Sequence, residues 1–155
     1  MDPKIKTREE IEQIVKDLKQ EGKTIVTCNG CFDILHIGHV NFLKEAKAQG
    51  DILIIGLNSD SSVKNNKGPE RPINKENERA EVLAALESTD YITIFNEETP
   101  IPLLEVIKPN IHCNGEDYGE NCIEGDTVKK NGGRIHVITF KRKISTTELI
   151  EKIKG

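Results

Sequence analysis

Apolar residues recur along this chain in two rhythms, and the alternation between them lays out its elements. Over residues 7–20, Ile11, Ile14, Val15 and Leu18 share one helical face, and Thr7 with Glu10 three positions on is a capping-box signature. A short β-branched run at 24–27 predicts a strand, followed by a glycine-containing loop and helical spacing over 40–49, with Gly50 as its stop. Residues 52–57 are almost continuously apolar, which suits a strand buried on both faces of a parallel sheet. The polar stretch 58–74, with Gly68, Pro69 and Pro72, is long for a connection inside a domain and reads as a functional loop. Helical spacing returns over 75–87 through Ala80, Val82, Leu83 and Leu86, and 91–95 predicts a third strand. Thr99 and Pro100 cap and open a helix over 101–107, which Pro109 ends. A fourth strand at 111–113, a short helix at 123–130 and a fifth strand at 134–140 precede a last helix opened by Ser145 with Glu148. There is no internal repeat and no low-complexity tract.

Strands alternating with helices predict an α/β chain, a Rossmann-like, doubly wound, five-stranded parallel sheet in a single domain. Residues 1–22 read as an N-terminal helix packed on a domain spanning 23–155. Ligands of such sheets bind at the carboxyl ends of the strands, which directs attention to the loops after Thr27, Leu57, Phe95, Cys113 and Phe140.

Composition narrows the ligand rather than the fold. The 155 residues are 35% hydrophobic and 31% charged, enough for one core and too apolar for a disordered chain. A formal net charge of -4 gives no global footprint for nucleic acid or anionic lipid, so an anionic ligand must be held by a local arrangement, as a small-molecule phosphate would be. No apolar stretch approaches the ~20 residues of a membrane helix, and Met1-Asp2-Pro3-Lys4 opens no signal-peptide hydrophobic region, so a cytoplasmic location is expected. Cys28, Cys31, Cys113 and Cys122 are then expected as free thiols.

The densest chemistry follows the first strand, where Asn29-Gly30-Cys31-Phe32-Asp33 leads into His36-Ile37-Gly38-His39. Glycines allow close backbone approach, a helix start offers free N–H groups, and two imidazoles add donors, which together describe a phosphate site. Two other readings of this segment exist. Cys28-x-x-Cys31 could be a redox dithiol, although Phe32 to His36 keep the chain in a loop where a redox motif would enter a helix. A zinc site from Cys28, Cys31, His36, His39, His112 and Cys113 lacks a second close pair at ligand spacing. Lys67, Arg71 and Arg79 could supply cations to a polyphosphate, competing with plain surface charge, and Ser145-Thr146-Thr147 could hold a further phosphate at a helix start as well as cap it. Asn114-Gly115-Glu116-Asp117-Tyr118 reaches the same sheet edge but alone is only a turn.

In order along residues 23–153, Gly30-x-Phe32-Asp33-x-x-His36-x-Gly38-His39, Asn58-Ser59-Asp60, Lys67-Gly68 with Arg71-Pro72, Arg79, Gly115-x-Asp117-Tyr118 and Ser145-Thr146-Thr147 resemble the cytidylyltransferase-like branch of the nucleotidyltransferases. The run Lys67 to Arg79, then Val82-Leu83-x-Ala85-Leu86 and Glu98-Thr99-Pro100, resembles the adenylyltransferase domain of the bifunctional enzymes that make ADP-glycero-manno-heptose for cell-surface carbohydrate, here without the sugar-kinase half. The resemblance implies transfer of AMP from ATP to heptose 1-phosphate with release of pyrophosphate. It implies Mg²⁺ carried by the triphosphate rather than by a protein metal site, and a homodimer. It assigns catalysis to His36, His39, Lys67 and Arg79. Nucleotide binding falls to Gly30, Phe32, Asp33, Gly38, His39, Gly115, Asp117, Tyr118, Ser145, Thr146 and Thr147, and acceptor binding to Asn58, Asp60, Lys67 and Arg71.

Three departures bear on the choice of substrate. Asn114 stands where the heptose enzymes usually have Lys, next to the expected nucleotide pocket. Against a glycerol-phosphate or phosphocholine cytidylyltransferase, Asn41 stands where those have Lys, and Phe140-Lys141-Arg142-Lys143 replaces their Arg-Thr-x-Gly. A cytidylyltransferase for a polyol or amino-alcohol phosphate is the alternative enzyme, and a nucleotide-binding protein without turnover is the alternative outside enzymes.

Overall fold

The fold is described from a computed structural model that defines residues 2–139 and 145–155. Five parallel strands form one sheet in the order β3-β2-β1-β4-β5, with β1 at Ile25–Gly30, β2 at Ile52–Asn58, β3 at Tyr91–Phe95, β4 at Ile111–Gly115 and β5 at Arg134–Ile138. This is the expected doubly wound sheet. Its order reverses between β1 and β4, the place where such sheets open a crevice for ligands. β2 lies inside the sheet, between β3 and β1, and is buried along nearly its whole length, which explains its unbroken apolar run.

Helices cover both faces because successive strand residues point opposite ways. On one face Ile25 and Ile54 pack with Phe95, with Leu103 and Ile107 of α5 (Ile101–Ile107), and with Ile11 and Val15 of α1 (Arg8–Gln20). The capping box of α1 forms as expected, Thr7 accepting from Glu10 N while Glu10 accepts from Thr7 N. Ile11 and Val15 are buried at 0% and 3% exposure, each such side chain contributing about 1.5–3 kcal/mol. On the other face Val26, Cys28, Leu53 and Ile55 pack under Leu43 and Ala46 of α2 (Ile37–Ala48) and Ala80 and Leu83 of α4 (Glu76–Ala84).

Several boundaries differ from expectation: β1 runs on to Gly30 and β4 to Gly115, and α4 stops at Ala84. Helix α2 begins at Ile37, three residues before its apolar spacing starts, because His36 caps it. The expected loop 58–74 contains a helix, α3 (Asp60–Lys67), whose only apolar residue is Val63. Ser59 caps α3 by accepting from Ser62 N, Asn58 Nδ2 donates to Ser62 Oγ, and Val63 is fully buried, so tertiary contacts hold a segment of poor helix propensity. The fifth strand ends at Ile138, and Phe140 to Ile144 lie outside the described residues. Helices α6 (Gly125–Lys130) and α7 (Thr146–Lys154) complete the chain.

Candidate active site

β1 runs beside β2 over all six of its residues but pairs with β4 only at Val26–Ile111 and Thr27–His112. Beyond that rung the strands part, and a cleft of about 770 Å³ opens above them. That volume lies in the ~300–1,000 Å³ range of small-molecule sites. The loop after β1, the start of α2, the turn after β4 and the start of α7 wall it.

His36 and His39 line this cleft, and each spends one ring nitrogen on the helix. His36 Nδ1 accepts from Gly38 N at 3.0 Å, and His39 Nδ1 accepts from His36 N at 3.3 Å. A ring nitrogen that accepts carries no proton, so in the neutral imidazole the proton sits on Nε2 and that atom is a donor. His36 Nε2 is buried and has no partner among the described residues. Burial lowers the pKa of His36, and burial together with the neighbouring His36 lowers that of His39 to about 4. Both rings are therefore neutral donors at pH 7, with centroids 4.0 Å apart and planes tilted by 34°. Capping the helix and offering a donor to an anion use different nitrogens of the same rings.

Phe32 packs beside His39. Its backbone is left-handed, φ 46°, and its ring lies 5.5 Å from that of His39. A Cβ on Gly30 would stand 3.0 Å from Phe32 Cε2, so a larger residue there would press on this ring.

Behind the cleft, Asp33 and Arg79 weld four segments together. Asp33, with no exposed side-chain surface, accepts from Arg71 Nε at 3.0 Å, Ile73 N at 2.8 Å and Asn74 N at 2.9 Å. Arg79, equally enclosed, donates to Asn74 O, Cys31 O and Asn58 O, and its Nη2 lies 2.7 Å from Asp60 Oδ1. At the floor, buried Glu124 accepts from Asn114 Nδ2 at 3.2 Å, and fully buried His112 shares a 2.7 Å hydrogen bond with Thr27 Oγ1. Burial pushes His112 down to about 4, with Glu124 opposing.

The cytidylyltransferase-like family model matches residues 27–153. The chain belongs to the cytidylyltransferase-like family. Among curated relatives, the "Bifunctional protein HldE" of Geobacter metallireducens is 48% identical over 98% of this chain, and that of Nitratiruptor sp. is 49% identical over 97%. The chain spans about a third of their length, 31% and 32%. Of solved structures, a lipopolysaccharide core biosynthesis protein from Thermoplasma volcanium is 30% identical with a TM-score of 0.64, covering 79% of this chain and 100% of that one. A pantoate-beta-alanine ligase from Francisella tularensis, 19% identical with a TM-score of 0.66 over 97% of this chain and 76% of its own, shares the fold.

Most of the residues expected from the sequence meet at the cleft. Gly30, Phe32, Gly38, Lys67, Arg71, Gly115, Asp117, Tyr118, Ser145, Thr146 and Thr147 join the two histidines there, and Asn58 reaches its edge. Two of the expected residues do not line the cleft: Arg79, expected to clamp phosphates, and Asp60, expected to bind acceptor, form an ion pair with each other beside it. Asp33, expected to bind nucleotide, reaches the cleft wall with both carboxylate oxygens already occupied by the 71–74 segment. Thr146 gives its hydroxyl proton to Ile34 O at 3.0 Å, so the hydroxyls of Ser145 and Thr147 and the backbone N–H groups are what the start of α7 can offer an anion.

The site also contains residues that sequence reasoning did not assign: Asn29, Cys31, Glu98, Thr99, Cys122 and Glu124. Asn29 was detectable as the polar residue closing an apolar strand, whereas nothing local marks Glu124. The dithiol reading fails on electrostatics. Burial raises both Cys28 and Cys31, whereas a redox thiol needs a lowered pKa. All four cysteines are free, and among the described residues no group of three or more His, Cys, Asp or Glu is placed to hold a metal ion.

Proposed function

We propose that the chain transfers AMP from ATP to heptose 1-phosphate, forming ADP-heptose and releasing pyrophosphate. The observation that carries this reading is the pair of imidazoles at the crevice between β1 and β4 whose Nδ1 atoms accept from backbone N–H groups, which leaves Nε2 as the donor of each. The relatives named HldE, at 42–49% identity, and the heptose-type run from Lys67 to Pro100 support the choice of acceptor.

An oxygen of the acceptor phosphate attacks the α-phosphorus of ATP, a new P–O bond forms, and the bond to the β-phosphate oxygen breaks with its electron pair leaving on pyrophosphate. A phosphate monoester, with a second pKa near ~6, is already a dianion at pH 7, so no general base is needed. Catalysis is positioning and neutralisation of charge. His36 and His39 donate from Nε2 to the reacting phosphates, and exposed Lys67 supplies a mobile cation. Arg71, held by Asp33, supplies a fixed one, and the N–H groups at the start of α7 meet the far end of the triphosphate. Mg²⁺ brought in with the triphosphate would supply further charge neutralisation, while Asp33, Asp60 and Glu124 are engaged with protein partners.

A cytoplasmic homodimer completes the reading, and no helix among the described residues is long and apolar enough to cross a membrane. The test is pyrophosphate release from ATP, CTP, GTP and UTP crossed with heptose 1-phosphate, glycerol 3-phosphate, phosphocholine and other sugar phosphates. ATP with heptose 1-phosphate is the expected best pair. CTP preference would move the chain to the cytidylyltransferase alternative, and binding without pyrophosphate release to the non-catalytic one.

A further inference from the structure

The turn between β3 and α5 walls the cleft with Glu98, Thr99 and Pro100, a motif that the proposed reaction leaves unused. Its own bonds are few. Ile101 N donates to Thr99 Oγ1 at 3.3 Å and Leu104 N to Pro100 O at 2.9 Å, and α5 starts with no side-chain cap. What holds the turn comes from elsewhere in the chain. From the start of α3, Ser59 N donates to Phe95 O at 2.9 Å and Ser62 Oγ to Glu97 O at 3.3 Å. From the start of α1, Arg8 grips Glu97 with two nitrogens, Nη1 donating to Oε2 at 2.6 Å and Nη2 to Oε1 at 2.8 Å.

Local helix physics does not explain Arg8. It is the first residue of α1, the end of a helix where a cation is disfavoured by the macrodipole. Its partner lies 89 residues away, so the placement answers a tertiary contact. Ile11 and Val15 seat α1 on Leu103 and Ile107 of α5, which gives the guanidinium a fixed base. A planar fork matched to a carboxylate is the geometry in which a partly exposed pair is worth most. Hydrogen bonding from Arg8 is the main cause that holds Glu97 down at about 2, so both partners are charged at neutral pH. The family match begins at residue 27, which leaves α1 and Arg8 outside the stretch that defines the family. We infer that Arg8 is a positioning residue: by clamping Glu97 it fixes the 98–100 wall of the cleft and makes the N-terminal helix part of the active site's scaffold. The inference rests on the cleft being the site of the proposed reaction and adds an element outside the family match that shapes it.

The experiment compares Arg8→Met, Glu97→Gln and the double variant by amide hydrogen exchange and steady-state kinetics, with Lys130→Met as control. The Lys130–Glu105 pair, at 2.6 Å, also ends on α5, but neither of its residues lines the cleft. Each of the first three variants should speed exchange of the amides over 97–101 about fivefold, the upper end for a partly exposed pair. KM for at least one of the two substrates should rise by a similar factor, with kcat changed less than about twofold. Because both residues act through one contact, the double variant should lose no more than either single one. Arg8→Lys, which keeps the charge but not the fork, should fall between wild type and Arg8→Met. Lys130→Met should move neither readout, although it too removes an ion pair. Unchanged exchange over 97–101, losses that add in the double variant, or a loosened turn with both KM values at wild type would each overturn the inference. The kinetics use whichever nucleotide and acceptor the protein turns over best, so failure to make ADP-heptose overturns the proposed function and leaves this test in place. If no pair turns over, Kd for ATP and for heptose 1-phosphate are read in place of KM.

Discussion

His39 Nδ1 accepts from the backbone N–H of His36 at 3.3 Å, so the second histidine of the pair holds the residue that carries the first. The two rings are one unit, and removing either removes a helix cap along with a donor. These effects separate by substitution. Asn is among the best helix caps, so His36→Asn keeps an acceptor for Gly38 N and discards the Nε2 donor. Turnover should fall about 10²- to 10³-fold, the effect of removing one donor to a developing negative charge. The thermal midpoint should stay within a few degrees of wild type. Near-normal kcat in a folded His36→Asn would remove His36 from the reaction.

The same burial that keeps the imidazoles neutral makes stability depend on pH. His39 and His112 both titrate at about 4 in the folded protein, against an ordinary value of 6.5. Between those values the unfolded chain binds protons that the folded chain refuses, so stability is full above about pH 7 and declines as pH falls toward 4. The expected loss is roughly 2–3 kcal/mol for each ring. Urea unfolding at pH 7.5 and pH 4.5 measures it, and His39→Asn should flatten the slope. An unchanged midpoint between the two pH values would show that the rings titrate normally.

Arg79 and Lys67 should fail in opposite ways. Arg79 donates to three carbonyls and Asp60 with no exposed side-chain surface, whereas Lys67 is exposed at the end of α3. Arg79→Met breaks a buried ion pair and strands its acceptors, at a cost of about 3–5 kcal/mol. Lys67→Ala should leave stability within about 0.5 kcal/mol and reduce kcat/KM. Denaturant midpoints and steady-state kinetics on both variants decide this. An Arg79→Met protein as stable as wild type but inactive would return Arg79 to the phosphate clamp.

The contrast shows what the sequence could carry. Strand runs such as residues 52–57 and the capping box at Thr7 and Glu10 are written in local periodicity, and the structure follows them. The donors of the site were legible because glycines and histidines gather within one short segment after β1. The difference between a cation that faces the ligand and one that faces the fold was not legible. Arg79 and Lys67 look alike in sequence, and the carbonyls of Cys31, Asn58 and Asn74 together with Asp60, nineteen residues from Arg79, turn the guanidinium inward. Helix α3 was hidden for the same reason, since its stability comes from Ser59, Val63 and the Asp60–Arg79 pair rather than from an apolar face.

Glu124 offers a chemical readout of the crevice floor. Its carboxylate accepts from Asn114, which occupies the position usual for a lysine in the heptose enzymes, and it sits beside Cys122. Burial first, then hydrogen bonding to Glu124 and its charge, hold the Cys122 thiol up at about 11. Glu124→Gln removes the charge and keeps the shape, so the thiol pKa must fall toward its ordinary value and the thiolate fraction at pH 8.5 must rise. In a Cys31→Ser background, which leaves Cys122 the half-buried thiol beside the buried Cys28 and Cys113, alkylation by iodoacetamide should speed up several-fold in Glu124→Gln. The Cys31→Ser parent should keep its turnover, because no step of the proposed reaction uses that thiol. An alkylation rate unaltered by Glu124→Gln would mean that the carboxylate and thiol do not interact, and that Asn114 alone sets the geometry of the turn after β4.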